Sequence, residues 1–238
     1  AALDVFAEYS GNQNCRDLLK SAFKKADDRV RNLAIELNSE GNCGTTGVAV
    51  LINLNGLHWI SVGDSRIYLL RKKILTCLTQ DHNHALELWN DHRAGNLSLD
   101  IPKTDPGASH LISFLGGGLK FIDQNLYTMP LENGDRILLC SDGLFGTLSE
   151  DIIKELASID PVTLSVELLL DTVSKEKRQH QDNATAVLLE IQDPPTYDAE
   201  IKLLKEQLET TTTKSKEPVA RRTLQEDKPF SEITKTSS

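Results

Sequence analysis

Residues 137–146, ILLCSDGLFG, combine an apolar run with a carboxylate, Asp142, and a glycine, Gly143, that follows it at once. An apolar run of this kind, bounded by a turn signal, is typical of a buried strand. We therefore expect Asp142 to lie where that strand leaves the core. Because glycine lets the backbone turn sharply, the carboxylate is a candidate metal ligand or general base aimed into a cleft. The alternative is that Asp142 and Gly143 only form the turn after a strand.

Composition and charge narrow the class of protein. The chain has 238 residues, 39% of them hydrophobic, which gives room for one sizeable core and a tail. Its formal net charge of -9 argues against a nucleic-acid partner, because phosphate binding needs a basic surface. No apolar run approaches the ~20 residues that span a bilayer, and no signal peptide opens the chain. We expect a soluble, monomeric protein of the cytoplasm with no nucleic-acid or membrane partner.

The cysteines indicate a reducing compartment. Cys15, Cys43, Cys77 and Cys140 are widely separated and include no Cys-x-x-Cys pair. Cys140 lies in the apolar run, where a buried thiol behaves as a small hydrophobe. Two disulfides are the alternative, which the lack of a signal peptide disfavours in a chain of this length.

Hydrophobic periodicity and start signals predict the helices. Ser149 before an acidic first turn, and Asp160 before a proline, are signals for the last two helices. Between residues 82 and 120 the pattern is mostly loose, which is typical of a flap beside a functional cleft. The predicted helices cover residues 1–10, 17–37, 85–91, 150–158 and 161–176.

Apolar runs separated by turn signals predict the strands. Residues 44–78 contain consecutive runs joined by tight turns, which predict an antiparallel meander. Residues 125–131 and 137–140 predict a second hairpin that leads to Asp142. Residues 184–191 predict a last buried strand. The fold class is therefore α+β, an antiparallel β-sandwich flanked by helices.

The composition changes after Pro195, where Thr, Lys, Glu and Ser dominate and large apolar residues are too few to form a core. We predict one folded domain over residues 1–192. Residues 193–238 are predicted to form a charged, mostly disordered tail.

A pair of carboxylates is the main chemical feature of the predicted fold. Asp142 follows one apolar strand and Asp182 precedes another, and in an antiparallel sandwich both can lie at the same edge. Their charges repel unless a cation lies between them, and oxygen-only ligands favour Mg²⁺ or Mn²⁺. Two such ions can lower the pKa of a water to about 7 for attack on phosphorus, without a protein nucleophile. His82 and His84 suggest zinc, but no third ligand accompanies them at a suitable spacing.

Short motifs extend the pattern beyond these two residues. They are GTT at 44–46, VGDSR at 62–66, LTQDH at 78–82, NGDR at 133–136, SDG at 141–143 and DNATAV at 182–187. In this order and approximate spacing they resemble the metal-dependent protein phosphatase (PPM) family over residues 1–191. The resemblance implies the four-layer α-β-β-α architecture of that family. It also implies hydrolysis of phosphoserine and phosphothreonine in proteins.

The resemblance assigns roles to individual residues. The positions of Asp142 and Asp182 are metal ligands in the family, and Gly143 matches a residue that coordinates metal through its carbonyl. Asp64 matches a residue associated with a third, weaker metal site, although it can alternatively act only as a turn cap. The implied cofactors are two Mg²⁺ or Mn²⁺ ions, and the implied partner is a phosphoprotein substrate.

The sequence departs from the family pattern in two places. No segment with the expected acidic pair, Asp-Gly metal motif, phosphate-binding arginine and two central strands precedes Ala1, so we interpret the chain as an N-terminally truncated fragment with part of a metal site. Gly146 stands where many members have a further Asp, which weakens the third site. The alternative function is a non-catalytic PPM-like module that binds a phosphoprotein or a kinase.

Overall fold

The computed structural model describes residues 2, 14–53, 55–98, 105–125, 127–176 and 182–193. All of them belong to the unit Ala1–Tyr197. Apart from residues 2 and 193, the predicted first helix and the predicted tail lie outside these ranges. The domain boundary at residue 192 therefore stays a prediction.

Helices and strands follow one another in groups along the described chain. The helices are α1 (Cys15–Glu36), α2 (His84–Arg93), α3 (Asp142–Phe145), α4 (Glu150–Ala157) and α5 (Val162–Glu176). The strands are β1 (Gly47–Asn53), β2 (Gly56–Val62), β3 (Arg66–Arg71), β4 (Ile74–Cys77), β5 (Asp123–Gln124), β6 (Arg136–Cys140) and β7 (Ala186–Glu190). The predictions of helices over 17–37, 85–91, 150–158 and 161–176 are confirmed to within a few residues.

The strands form two antiparallel sheets, which confirms the predicted sandwich. One sheet has the order β1-β2-β5 and the other has the order β4-β3-β6-β7. The predicted meander is wrong, because β1 and β2 pair in one sheet while β3 and β4 pair in the other. The chain crosses between the sheets at Gly63, whose φ of 97° lets the backbone change direction there. Asp64 therefore lies in the crossover turn.

The second predicted hairpin is also wrong. Asp123, Gln124 and Met129 pair with β2, whereas β6 pairs with β3 and β7. The buried side chain of Asn125 explains this pairing. Its carbonyl oxygen accepts the Trp59 N–H at 3.0 Å, and its amide donates to the Leu57 carbonyl at 3.0 Å. These bonds fix the segment against the first sheet.

The core is arranged in apolar layers that give the order α-β-β-α. Successive residues of β6 point to opposite sides, so Ile137 packs between the sheets and Leu138 packs toward α4 and α5. On the other side of the sandwich, Leu19 and Phe23 of α1 pack on Ile60 of β2. The four-layer architecture implied by the PPM resemblance is therefore confirmed.

Two expectations about environment can be compared with the structure. None of the described helices has both the length and the apolar character needed to cross a membrane. The four cysteines, Cys15, Cys43, Cys77 and Cys140, are free, in agreement with the prediction of reduced thiols.

Candidate metal centre

The β6–β7 pair brings two candidate ligands to one edge of the sandwich. The strands run antiparallel, so the end of β6 and the start of β7 lie side by side. Ser141 joins the loops beyond them, because its N–H donates to the Thr185 carbonyl at 3.1 Å and its Oγ accepts the Thr185 N–H at 3.0 Å. Asp142 and Asp182 extend from these joined loops.

Gly143 lets the two loops pack directly on each other. A Cβ added at Gly143 would lie 2.5 Å from the Asn183 carbonyl oxygen and 3.1 Å from that of Asp182. Both oxygens belong to the backbone, which cannot move aside as a flexible side chain can. Only glycine therefore fits at this position, and the first turn of α3 lies directly on the backbone of Asp182.

Asp64 adds a third carboxylate from the crossover turn. Burial, and then the nearby charge of Asp142, raise the pKa of the Asp64 carboxyl to about 6. The next residue, Ser65, is fixed by a bond of 2.9 Å between its Oγ and Oγ1 of Thr46. Carboxylates that repel each other in this way favour a cation between them.

The oxygen atoms at this edge are of the chemical type that binds Mg²⁺ or Mn²⁺. Carboxylates and a backbone carbonyl are the hard oxygen ligands that these ions prefer. The carboxylates of Asp142 and Asp182 each accept the N–H of the next residue, at 2.9 and 2.7 Å, which fixes their direction. In the described part of the chain, however, no three His, Cys, Asp or Glu side chains are grouped closely enough to hold one ion.

Comparison with known proteins shows which proteins this chain is similar to. Residues 3–88 match the family model described as Protein phosphatase 2C. The chain is 32% identical over 147 residues to the serine/threonine phosphatase stp of Listeria monocytogenes, covering 62% of this chain and 56% of that protein. It is 32% identical over 150 residues to the serine/threonine protein phosphatase PstP of Mycobacterium tuberculosis, covering 63% of this chain and 28% of that protein. The chain is therefore similar to protein phosphatase 2C (PPM) enzymes, by the family model over residues 3–88 and by these relatives over about 150 residues.

Solved structures of PPM phosphatases share the fold of this chain. PstP/Ppp of Mycobacterium tuberculosis is 25% identical, with a TM-score of 0.66 and 80% of each chain covered. MsPP of Mycobacterium smegmatis is 29% identical, with a TM-score of 0.62 and 80% of each chain covered. A PstP catalytic domain solved with two manganese ions is 28% identical, with a TM-score of 0.60, covering 81% of this chain and 79% of that one.

The chain spans about half the length of the Listeria relatives that it matches, 56% in the case of stp. Within the described residues, the structure brings Asp142, Gly143 and Asp182 to one edge and places Asp64 within electrostatic reach of Asp142. Their roles as metal ligands stay predictions.

Gly146, where many PPM members have an Asp, closes the short helix α3. Its N–H donates to the Asp142 carbonyl at 2.7 Å, and an added Cβ would lie 2.7 Å from the same oxygen. A side chain at position 146 would therefore press on the backbone of a candidate ligand. The weaker third site predicted from this position stays a prediction.

Sequence reasoning assigned no role to Arg66 and Asp81, although both lie in motifs that carried the PPM resemblance. Arg66 donates from Nε and Nη2 to the two Asp81 oxygens, at 2.9 and 2.7 Å. These bonds raise the pKa of Arg66 above its ordinary value. Its guanidinium lies 3.8 Å from the ring centroid of Phe145, the last residue of α3. The order of the motifs in the sequence was the signal that both residues matter. It could not reveal their contact, because that contact joins separate segments of the chain.

The two histidines considered for zinc have different partners. His82 is 2% exposed, and its Nδ1 accepts the Gly63 N–H at 3.2 Å. His84 instead lies on the surface of α2, with Nδ1 at 3.1 Å from a Glu87 carboxylate oxygen. Burial lowers the pKa of His82, which keeps its ring neutral and able to accept this bond. The separate partners of His82 and His84 agree with the expectation that these two residues do not bind zinc together.

Proposed function

We propose that this chain carries part of the active site of a metal-dependent protein serine/threonine phosphatase. The observation that carries the proposal is the packing of Gly143 on the Asp182–Asn183 backbone, which fixes two carboxylate loops at one edge. The proposal is supported by the relatives, which bear the name serine/threonine phosphatase, and by the two manganese ions in the PstP catalytic domain.

The proposed chemistry needs oxygen ligands more than a protein nucleophile. When bound, Mg²⁺ or Mn²⁺ would supply a water acidified to a pKa of about 7 as the nucleophile toward phosphorus. Asp142, the Gly143 carbonyl and Asp182 would hold two ions together with further ligands, and Asp64 would contribute to a third. The substrate class is a protein that carries phosphoserine or phosphothreonine.

The thiol beside this edge does not offer a competing mechanism. Cys140 is the last residue of β6, and burial raises its pKa to about 12. The thiolate is the reactive form of cysteine, and Cys140 is protonated at neutral pH. Attack on phosphorus by Cys140 is therefore disfavoured.

The test is phosphate release from a phosphothreonine peptide, measured against Mn²⁺ concentration in the protein made from the full reading frame. Asp142→Asn and Asp182→Asn each remove one ligand charge and should lower kcat/KM on the order of 100-fold. The matched control is Asp171→Asn, on an exposed face of α5 where Asp171 pairs with Lys175. Unchanged turnover in either ligand variant would remove the proposed role of that residue.

A non-catalytic module that binds a phosphoprotein or kinase is the second candidate. It is favoured by one observation, the lack of a group of three metal-ligating side chains among the described residues. Titration calorimetry with the phosphothreonine peptide separates the two candidates. Peptide binding without added Mn²⁺, together with no phosphate release when Mn²⁺ is present, would support the module and contradict the enzyme.

We further propose that the protein acts in the cytoplasm as a monomer without a nucleic-acid partner. The net charge of -9 supports this proposal, because self-repulsion keeps a protein dispersed and repels phosphate backbones. Equilibrium sedimentation should give the mass of one chain. A dimer at micromolar concentration would contradict the proposed monomer.

A further inference from the structure

We propose that Arg66, Asp81 and His82 are positioning residues that hold Asp64 beside Asp142, and we call these three residues the turn clamp. The inference rests on the proposed function, because the metal centre is what the turn clamp would shape. The argument begins from contacts that join the crossover turn, the loop after β4 and the helix α3. None of the three residues is itself a proposed metal ligand.

His82 fixes the residue that precedes Asp64. Its backbone N–H donates to the Gly63 carbonyl at 2.9 Å, and its Nδ1 accepts the Gly63 N–H at 3.2 Å. Both backbone polar groups of Gly63 are therefore bound by one side chain and one amide of the same residue. The Gly63 carbonyl belongs to the planar peptide that joins Gly63 to Asp64. Holding that carbonyl therefore restricts the position of Asp64.

Arg66 connects the same turn to the helix that begins with Asp142. Its planar guanidinium binds both oxygens of Asp81, the bidentate geometry that fixes direction as well as distance. The same group lies 3.8 Å from the ring centroid of Phe145, close enough for a cation–π contact. Phe145 is the last residue of α3. A displacement of Arg66 would therefore shift both the turn that carries Asp64 and the helix that begins with Asp142.

The loop that carries Asp81 and His82 is anchored to both sheets. The Gln80 N–H donates to Asp123 of β5 in the first sheet at 2.9 Å. The Thr79 hydroxyl accepts the Ile67 N–H of β3 in the second sheet at 3.2 Å. The turn clamp is therefore fixed to the sandwich and can resist the mutual repulsion of Asp64 and Asp142.

The first test follows the structure of the turn without any enzyme activity. In His82→Ala the Gly63 amide loses its acceptor, and its hydrogen exchange should become at least about 10-fold faster. The control His84→Ala removes a partly exposed ring on α2 that contacts Glu87, and it should leave that exchange unchanged. His82→Asn should restore protection, because its Oδ1 occupies the place of Nδ1. His82→Gln should not, because its acceptor lies one bond farther from the backbone.

The second test separates positioning from general stability. Arg66→Lys keeps the charge but cannot bind Asp81 through two parallel bonds. The Mn²⁺ concentration for half-maximal phosphate release should rise roughly 10-fold or more, while KM for the phosphopeptide changes little. The control Arg71→Lys makes the same change at the other end of β3, where Arg71 binds the buried Asp135 at 2.8 and 2.5 Å. That variant should lose stability without a change in Mn²⁺ requirement.

The outcomes decide between positioning and a purely structural role. Unchanged Gly63 exchange in His82→Ala, or an equal Mn²⁺ requirement in Arg66→Lys and Arg71→Lys, would overturn the turn clamp. If Arg66→Lys does not fold, Asp81→Asn removes the ion pair with almost no change in volume and takes its place. If the unaltered protein releases no phosphate, the proposed function fails, while the exchange of Gly63 still tests the turn clamp.

Discussion

At the scale of single residues, the candidate centre depends on where a side chain is absent as much as on where one is present. Gly143 lies in the helix α3 and does not have a positive φ, so its requirement is one of space and not of backbone conformation. Taken by itself, the segment 137–146 favoured the ordinary explanation of a turn after a strand. The space requirement became visible only when the backbone of Asn183, distant in sequence, was placed against Gly143.

Gly143→Ala tests this requirement. The added methyl group would force the Asp182–Asn183 backbone away from α3, and kcat/KM should fall roughly 10- to 100-fold, because small misplacements of reacting groups are costly. The control Gly134→Ala strains a turn with φ of 84°, but nothing lies within 4 Å of its added Cβ. It should destabilise the fold by about 1 kcal/mol and leave kcat/KM unchanged. Equal kinetic losses in both variants would contradict the proposed contact.

At the scale of elements, the sequence predicted helices well and strand pairing poorly. The apolar stripe of α1 and the start signals of α4 and α5 are local, so residues within a few positions of each other contain the information. Pairing depends on residues far apart, and tight turns at 63–64 suggested a meander where the chain changes sheets.

The candidate centre likewise contains one feature that could be predicted from the sequence and one that could not. The placement of Asp142 and Asp182 at one edge followed from two antiparallel strands, and it could be predicted from apolar runs. The contacts of Arg66 with Asp81 and Phe145 could not, because they depend on how the crossover turn meets two other loops. Sequence order could show that these motifs belong together but not which atoms touch.

Arg71, the last residue of β3, binds the buried Asp135, which directly precedes β6, and the loss of this ion pair should affect stability and spare the site. Asp135 is 1% exposed, and its oxygens accept two bonds from Arg71 and one from the Glu132 N–H. Asp135→Ala leaves Arg71 without its main partner and should cost about 3 kcal/mol of unfolding free energy. The control Asp171→Ala removes an exposed partner of Lys175 and should cost at most ~1 kcal/mol. Urea denaturation measures both, and a loss below that of the control would show that the pair is not stabilising.

At the scale of the whole molecule, the candidate centre exists only when both sheets have packed. Asp64 comes from the crossover between the sheets, Asp142 follows the end of β6, and Asp182 precedes β7. In the unfolded chain these carboxylates are separated by long stretches of sequence, and folding brings their charges together at a cost. A divalent cation would offset that cost in the native state only.

Mn²⁺ should therefore stabilise the native protein in proportion to its occupancy of the site. A ligand that binds only the folded state adds about 2.7 kcal/mol when its concentration is 100 times Kd, which thermal unfolding detects as a rise in Tm. Asp142→Asn removes a proposed ligand and one repelling charge together. The Tm of this variant should therefore rise little when Mn²⁺ is added. Sodium chloride at matched ionic strength is the control for screening of surface charge. An equal rise in both proteins would place the bound Mn²⁺ elsewhere, whereas a rise confined to the unaltered protein would connect folding to the carboxylate edge.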